Sequence, residues 1–444
     1  MRAHDARALV ELGLSTLLDF NDPDAVARIA PSVTRAASEL GRAAPLGLLA
    51  DLALVLGELP PRLDVGRARA LATHVSREAY DALVAPLASN DRILLLRDAL
   101  SRHPRDVRAD AAGSLVAELI GRALDATIAQ RAAPVHANPV TPAALRRALA
   151  TAPEKIAAAL TLPLAPDLEH ELTASSELIA RGARAIAPLV GPAEVLLAEG
   201  APHLKNRAAR IALRQLTDAT AAIAEHVPAT LRKRKRRGER AVRGKDAGTY
   251  PTGGLSSLTT SGSLESVVSS ELAMSSPEAD LLEDLFAVRW ASGELLYWAR
   301  DESIATRRRT AIWIRVPPEL ATERVVDAGA PWQRPVLALA AVAVFLARAL
   351  FVLHRDAVTA TVAFPARAGL DEDAALLAIV LGPLPAARTL TATQTEIVAM
   401  IERDEERSAV LDLELDLSGL PTSGSREEHL SAYAGIARRW LENL

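Results

Sequence analysis

A dense run of basic residues divides the chain into two parts whose patterns are unlike. Leu231–Lys245 contains nine Lys or Arg residues against one Glu. Helical patterns rich in Ala and Leu precede it, whereas a Gly/Ser/Thr-rich tract and then alternating strand and helix patterns follow. A chain of 444 residues is also too long for one ordinary core. We therefore predict an all-helical domain over 1–231, a basic and then Gly/Ser-rich linker over 232–275, and an α/β domain over 276–444.

The first part reads as a series of helices with marked starts. Asp22-Pro23 and Thr141-Pro142 each place a capping side chain before a proline at the first helical position. Apolar residues then recur at helical spacing, and short Pro- or Gly-containing turns separate the segments. No fixed repeat period is visible. The pattern predicts a helical bundle or an irregular solenoid.

The histidines of this part do not form a metal motif. No two of them stand four residues apart on a helix with a Glu beside them, which is the spacing of a zinc-protease helix. We expect solvated surface side chains at these positions: His74, His103, His136, His170, His203 and His226.

Composition excludes several classes of chemistry and location. The sequence has no cysteine, so disulfides, thiol catalysis and Cys-based zinc sites are excluded. Its N-terminus lacks the pattern of a secretory signal, and we expect a cytoplasmic protein. Val336–Leu353 is 18 residues long and apolar. Because Arg348 would cost roughly 2.5–3.5 kcal/mol inside a bilayer, we predict a buried helix and no membrane span.

Three functions compete for the basic run. It could neutralise nucleic-acid phosphates, attach to anionic lipid, or serve as a solvated linker. No aromatic residue is interleaved with the charges, so the stacking typical of single-strand recognition is absent. The pattern favours a linker, and nucleic-acid binding is the alternative. The candidate polyanion-binding residues are Arg232, Lys233, Arg234, Lys235, Arg236 and Arg237.

The second part alternates strand and helix patterns. Thr310–Val316 and Val358–Phe364 alternate in polarity, and the apolar helix Val336–Leu353 lies between them. Strand, helix, strand is a crossover unit with parallel pairing and a right-handed connection. Ala409–Leu417 is a further strand, whereas 281–299 carries both helix and strand signals. A three-layer α/β domain follows from this alternation.

Here the chain resembles a known family. The tracts that carry the likeness are GTYPTGGLSSLTTSGSLESVVSSELAM, DLLEDLFAVRWASGELLYWARDES and PWQRPVLALAAVAVFLARAL. They resemble the von Willebrand factor A-like proteins encoded beside MoxR-type AAA+ ATPases in bacterial ternary systems. The resemblance covers about 250–444. It implies a Rossmann-like α/β fold and a protein partner, a MoxR-type ATPase or another component of the same system.

The family's metal motif is degenerate in this sequence. In the family, the first strand ends in Asp-x-Ser-x-Ser, which holds a magnesium ion through oxygen ligands. The matching positions here are Arg315, Pro317 and Glu319, which implies a lost metal site and no cofactor. Asp412, Glu414 and Asp416 share one face of the later strand, but alternate strand residues lie roughly 6.5–7 Å apart. That spacing indicates a polar strand face in place of a displaced ion site.

These inferences lead to the hypothesis of a non-catalytic interaction protein. The docking surface would be the top of the sheet, with Arg315, Glu319, Asp416 and Ser418 as candidate partner-binding residues. A nucleic-acid-associated regulator that binds through 231–245 is the alternative, and a metal-dependent hydrolase at 412–418 is a third.

Overall fold

The protein is described by a computed structural model, and it divides into two compact units, Met1–Asp218 and Ala219–Leu444. The predicted domain boundaries near residues 231 and 275 lie outside the described residues and stay predictions. The described residues are 3–18, 22–40, 44–57, 74–129, 141–151, 166–186, 188–204, 206–228, 249–251, 255–260, 267–272, 274, 285–300, 306–308, 310–324, 326, 329–353, 358–406, 408–421, 423–442 and 444.

The first part of the chain is helical wherever it is described, as predicted. Thr141 caps its helix by accepting a hydrogen bond from the Ala144 amide at 3.2 Å, and the Asp22 carboxylate accepts one from Ala25 at 3.1 Å. A π-helical turn, Tyr80–Val84, joins two of the helices. The helices are α1 (Ala3–Gly13), α2 (Pro23–Leu40), α3 (Leu46–Gly57), α4 (His74–Ala79), α5 (Ala85–Ala88), α6 (Arg92–Ser101), α7 (Arg105–Ala129), α8 (Pro142–Leu149), α9 (Pro166–Ala185), α10 (Pro192–Glu199) and α11 (Arg207–His226).

Two glycines allow the long helix α7 to pack closely against its neighbours. A Cβ on Gly113 would lie 2.7 Å from the Arg35 Cβ and would overlap the backbone of Ser32 in α2. A Cβ on Gly182 would lie 2.5 Å from the carbonyl carbon of Ala123, so α9 touches the backbone of α7. Any larger residue at these crossings must push the helices apart.

A buried carboxylate anchors the turn after α1. Asp51 lies on α3, which is buried on nearly all sides, and accepts hydrogen bonds from the Ser15 hydroxyl at 2.5 Å and from the Leu17 amide at 3.0 Å. The Thr16 hydroxyl donates to the same carboxylate at 2.9 Å. Burial raises the pKa of Asp51 to about 6, whereas these donors act in the opposite direction.

The second unit begins with two short antiparallel ladders. β1 (Thr249–Pro251) pairs with β4 (Thr306–Arg308), and β2 (Leu255–Thr259) pairs with β3 (Tyr297–Arg300). The predicted linker therefore contains two strands, because strands much later in the chain supply backbone partners that local composition does not reveal. Two short helices complete this region, α12 (Ser269–Leu272) and α13 (Leu285–Ala291). Both the helix and the strand signal predicted within 281–299 are therefore real, since α13 precedes β3.

A four-stranded parallel sheet forms the core of this unit and confirms the predicted α/β fold. Its order is β7-β6-β5-β8, so β5 has neighbours on both sides. The predicted pairing of the strands around the long helix is confirmed as parallel. The strands are β5 (Thr310–Arg315), β6 (Val358–Pro365), β7 (Ala387–Ala392) and β8 (Ala409–Glu414), and the helices are α14 (Arg334–Val352), α15 (Asp371–Leu381), α16 (Gln394–Glu405) and α17 (Arg426–Glu442).

The helices cover opposite faces because the direction of the crossovers reverses. α14 and α15 connect strands that run outward from β5, whereas α16 returns the chain to the other side of β5. With right-handed crossovers, this reversal places α16 on the opposite face of the sheet. Trp313 packs there with Ile397 and Ile401, and its indole N–H donates to Asp404 at 2.9 Å.

α14 is the apolar helix of the core. By length and composition, Arg334–Phe351 is the one stretch among the described helices that could cross a membrane, and 72% of it is buried within the protein. Phe345 meets Trp440 of α17 edge to face, with ring centroids 5.3 Å apart. The burial agrees with the prediction of a core helix.

Candidate functional site

A groove opens where the carboxyl ends of β5 and β8 meet. The chain leaves β5 in one direction and returns in the other, so this is the point at which the strand order reverses. In open α/β sheets, ligands bind in the crevice at such a point. The groove encloses about 470 Å³ and is lined by Pro317, Glu319, Glu414, Leu415, Asp416, Leu417 and Ser418.

Buried residues hold the inner walls of the groove. A 3-10 turn, Pro318–Ala321, follows β5 and buries Leu320 completely. On the other side Leu415 is buried, and its amide donates to the Arg315 carbonyl at 3.0 Å. Each wall of the groove is therefore anchored by a buried leucine.

The two loops that form the walls also touch at their far ends. A Cβ on Gly329 would lie 2.9 Å from the carbonyl carbon of Gly424 and would overlap its oxygen. Next to this contact the guanidinium of Arg426 lies over the Trp332 ring, 5.1 Å from the centroid. A cation over an indole is attracted to the ring face. These contacts within the chain fix the shape of the groove without a bound partner.

The groove is acidic. Glu319, Glu414 and Asp416 are all exposed along its lining. The side chain of Ser418 and its amide, at 2.8 Å, both bond to the Asp416 carboxylate. These hydrogen bonds lower the pKa of Asp416, so this carboxylate is ionised across the physiological range. Together the three side chains favour a cationic ligand.

Arg315 lies beside the groove and does not line it. Its Nε atom is 3.0 Å from a carboxylate oxygen of Asp412, and its Nη2 atom is 3.4 Å from one of Glu414. The arginine side chain is 27% exposed. The polar face predicted for this strand is therefore neutralised in part by an arginine from the neighbouring strand. Of the candidate docking residues, the structure brings Glu319, Asp416 and Ser418 together, whereas Arg315 is engaged within the sheet.

The residues at the family's metal positions do not fit a magnesium ion. A guanidinium stands at the first position and is already paired with carboxylates. Pro317, at the second, has no side-chain oxygen to offer, while a magnesium ion needs several oxygen ligands. Within the described part of the chain, no three His, Asp or Glu side chains are grouped so that they could hold a metal ion.

The remaining candidate residues lie elsewhere. The basic residues 232–237 are outside the described residues. His170 and His203 are exposed, as predicted for the histidines. That prediction is wrong for His103, which is half-buried with Nε2 2.8 Å from the Ala198 carbonyl oxygen, and for His226, which binds Glu427 at 2.8 Å within the second unit. Both have hydrogen-bond partners that are distant in sequence.

Sequence reasoning missed the contacts that shape this site. The bond from the Leu415 amide to the Arg315 carbonyl joins two strands that are distant in sequence, and the approach of Gly329 to Gly424 joins two loops. A glycine in each loop was the only local signal, and glycine is common in loops of any kind.

Comparison with known proteins agrees with this architecture. Residues 251–418 match the model of the ivWA family, described as the vWA domain found in the FtsH ternary systems. The C-terminal half is von Willebrand factor A-like. This confirms the von Willebrand factor A-like part of the resemblance seen in the sequence, and the match ends at Ser418, the last residue of the groove lining. No curated protein and no solved structure matches the chain.

Proposed function

We propose that this protein is a non-catalytic interaction component of a bacterial multi-component system, with the acidic groove of its vWA-like domain as a docking site. The match to the vWA domain of FtsH ternary systems supports a role among protein partners. The observation that carries the proposal is the groove at the reversal of strand order, whose lining offers a preformed shape and negative charge.

The chemistry of the groove argues for binding and against catalysis. Ser418 is the hydroxyl in its lining, and its neighbour Asp416 has a lowered pKa. A general base works best with a pKa near the operating pH, so Asp416 is a weak base for activating a hydroxyl. The described lining also lacks a histidine or lysine that could take that role.

The partner proposed from the family resemblance is a MoxR-type AAA+ ATPase or another component of the same system, in the cytoplasm. A partner that suits the groove presents a lysine or arginine side chain between Glu319 and Asp416. Burying an unpaired charge is costly, whereas a cation beside two carboxylates is favourable. Electrostatic docking of this kind also weakens with salt.

The test is charge reversal in the groove. The double variant Glu319→Lys with Asp416→Lys should fold normally, because both side chains are exposed. Purified from its own cells with a tag, the wild-type chain should bring down an FtsH or AAA+ ATPase component, and the double variant should lose it. Glu442→Lys, an equivalent change at an exposed position of α17, is the matched control. Recovery of the same component by the double variant contradicts the proposal.

The alternative of nucleic-acid binding rests on the nine Lys and Arg residues of 231–245. Affinity for DNA or RNA through that run should fall steeply with salt, with a log–log slope near −0.9 for each phosphate contact on duplex DNA. Replacing these residues by glutamine should abolish the binding. Retained binding excludes this run as its source.

A further inference from the structure

β8 is an edge strand of the described sheet, with one side of its backbone free. The amide of Leu415 donates to the Arg315 carbonyl, so the backbone groups of Leu415 face β5 in the parallel pairing of the two strands. Backbone groups alternate in direction along a strand. Leu411 and Leu413 therefore bond to β5, whereas the N–H and C=O groups of Val410, Asp412 and Glu414 point outward. Among the described residues none bonds to these outward groups.

The side chains along this open edge are acidic. Val410, Asp412 and Glu414 point to the face that also carries Trp313, and the two carboxylates are 35% and 63% exposed. Arg315 is one cation between two carboxylates, so the edge keeps a negative charge. A strand added here would place every second side chain beside these carboxylates.

We propose that the free edge of β8 binds an extended segment of a protein partner by strand addition, and that this segment carries lysine or arginine at alternate positions. Backbone hydrogen bonds to the three outward residues supply the pairing, and the carboxylates of Asp412 and Glu414 select the basic side chains. This mode of recognition is general for exposed sheet edges. The edge shares Glu414 with the groove lining, whereas Asp412 and Val410 lie outside that lining.

Charge on an edge strand has a second use, which is to prevent uncontrolled pairing with other chains. The two uses differ in one respect. A protective edge repels any added strand, whereas a recognition edge accepts a strand of opposite charge and rejects one of like charge. The distinction can be measured directly.

The experiment uses the full-length protein and a fluorescent peptide of about ten residues that alternates lysine and valine. Fluorescence anisotropy should show saturable binding, and a peptide that alternates glutamate and valine should not bind. A lysine–valine peptide methylated on alternate backbone nitrogens should bind at least 10-fold more weakly, because it cannot complete the ladder. Absence of binding, or equal binding of the methylated peptide, overturns the proposal.

Two variants extend the test to the protein. Val410→Pro removes an outward N–H that β5 does not use, and it should weaken binding of the lysine–valine peptide at least 10-fold. Asp412→Lys, which reverses an edge carboxylate outside the groove lining, should lose that peptide and gain affinity for the glutamate–valine peptide, whereas Glu442→Lys should behave like wild type. Retained peptide binding by the groove double variant separates this surface from the groove.

Discussion

Replacing Gly329 by alanine tests whether contact between two loops sets the shape of the groove. An alanine Cβ at this position would overlap the carbonyl oxygen of Gly424 and lie 2.9 Å from its carbonyl carbon. The obstacle is backbone, so no side chain can rotate away. The two loops would have to separate by on the order of 1 Å before ordinary contact distances return.

The expected change in the free energy of unfolding follows from two opposing effects. Where alanine can adopt the native backbone conformation, replacing glycine by alanine stabilises a protein by about 0.4–1 kcal/mol, because it reduces the conformational entropy of the unfolded chain. Overpacking costs typically 1–3 kcal/mol. We therefore expect Gly329→Ala to lower the free energy of unfolding of the second unit by about 1 kcal/mol, and its melting temperature by roughly 2–4 °C.

The five tryptophans make this measurement specific. All of them, Trp290, Trp298, Trp313, Trp332 and Trp440, lie in the second unit. Urea unfolding followed by tryptophan fluorescence thus reports that unit even while the helical unit is present. Co-purification of the groove's partner should fall in parallel, because the widened groove no longer fits it.

Gly435→Ala is the matched control. Gly435 lies inside α17, and a Cβ there would meet nothing within 4 Å. The same substitution should therefore stabilise the unit by about 0.8–1.0 kcal/mol through helix propensity. The reasoning fails if Gly329→Ala is as stable as wild type, or if both variants shift the urea midpoint in the same direction.

Three further predictions concern stability and ions. Gly182→Ala should destabilise the helical unit by about 1–3 kcal/mol in thermal unfolding followed by circular dichroism. Gly121→Ala on α7 should not destabilise the unit, because its Cβ would have no neighbour closer than 3.9 Å. Because burial raises the pKa of Asp51 from 3.8 to about 6, the folded state favours its protonated form. Stability of the helical unit should then fall as pH rises from about 4 to about 6, on the order of 3 kcal/mol for this group. Asp51→Asn should flatten that slope in unfolding measured across this pH range. Magnesium chloride should leave the melting temperature of the second unit unchanged, since the guanidinium of Arg315 stands where the family resemblance places the leading metal ligand; a rise would show that the second unit binds the ion.

Some features were predictable because their causes are local. The capping residue Thr141 and the length of α14 each depend on neighbours within a few positions. Arg315 and Pro317, which the family resemblance aligns with the metal motif, were also readable directly. The partners of Arg315 were not, because Asp412 and Glu414 join it only once β8 pairs with β5.

The sequence by itself determined a helical first part, an α/β second part with a family likeness, and the chemical identities of Arg315, Pro317 and Glu319 after the first strand of the sheet. Those properties follow from side-chain type and short-range periodicity. Only the tertiary structure decided that Glu319, Asp416 and Ser418 share one groove while Arg315 is held beside it, and that β8 ends the described sheet. Such facts depend on strand order and on loops that meet across the fold, and no local pattern along the chain encodes which distant residues become neighbours.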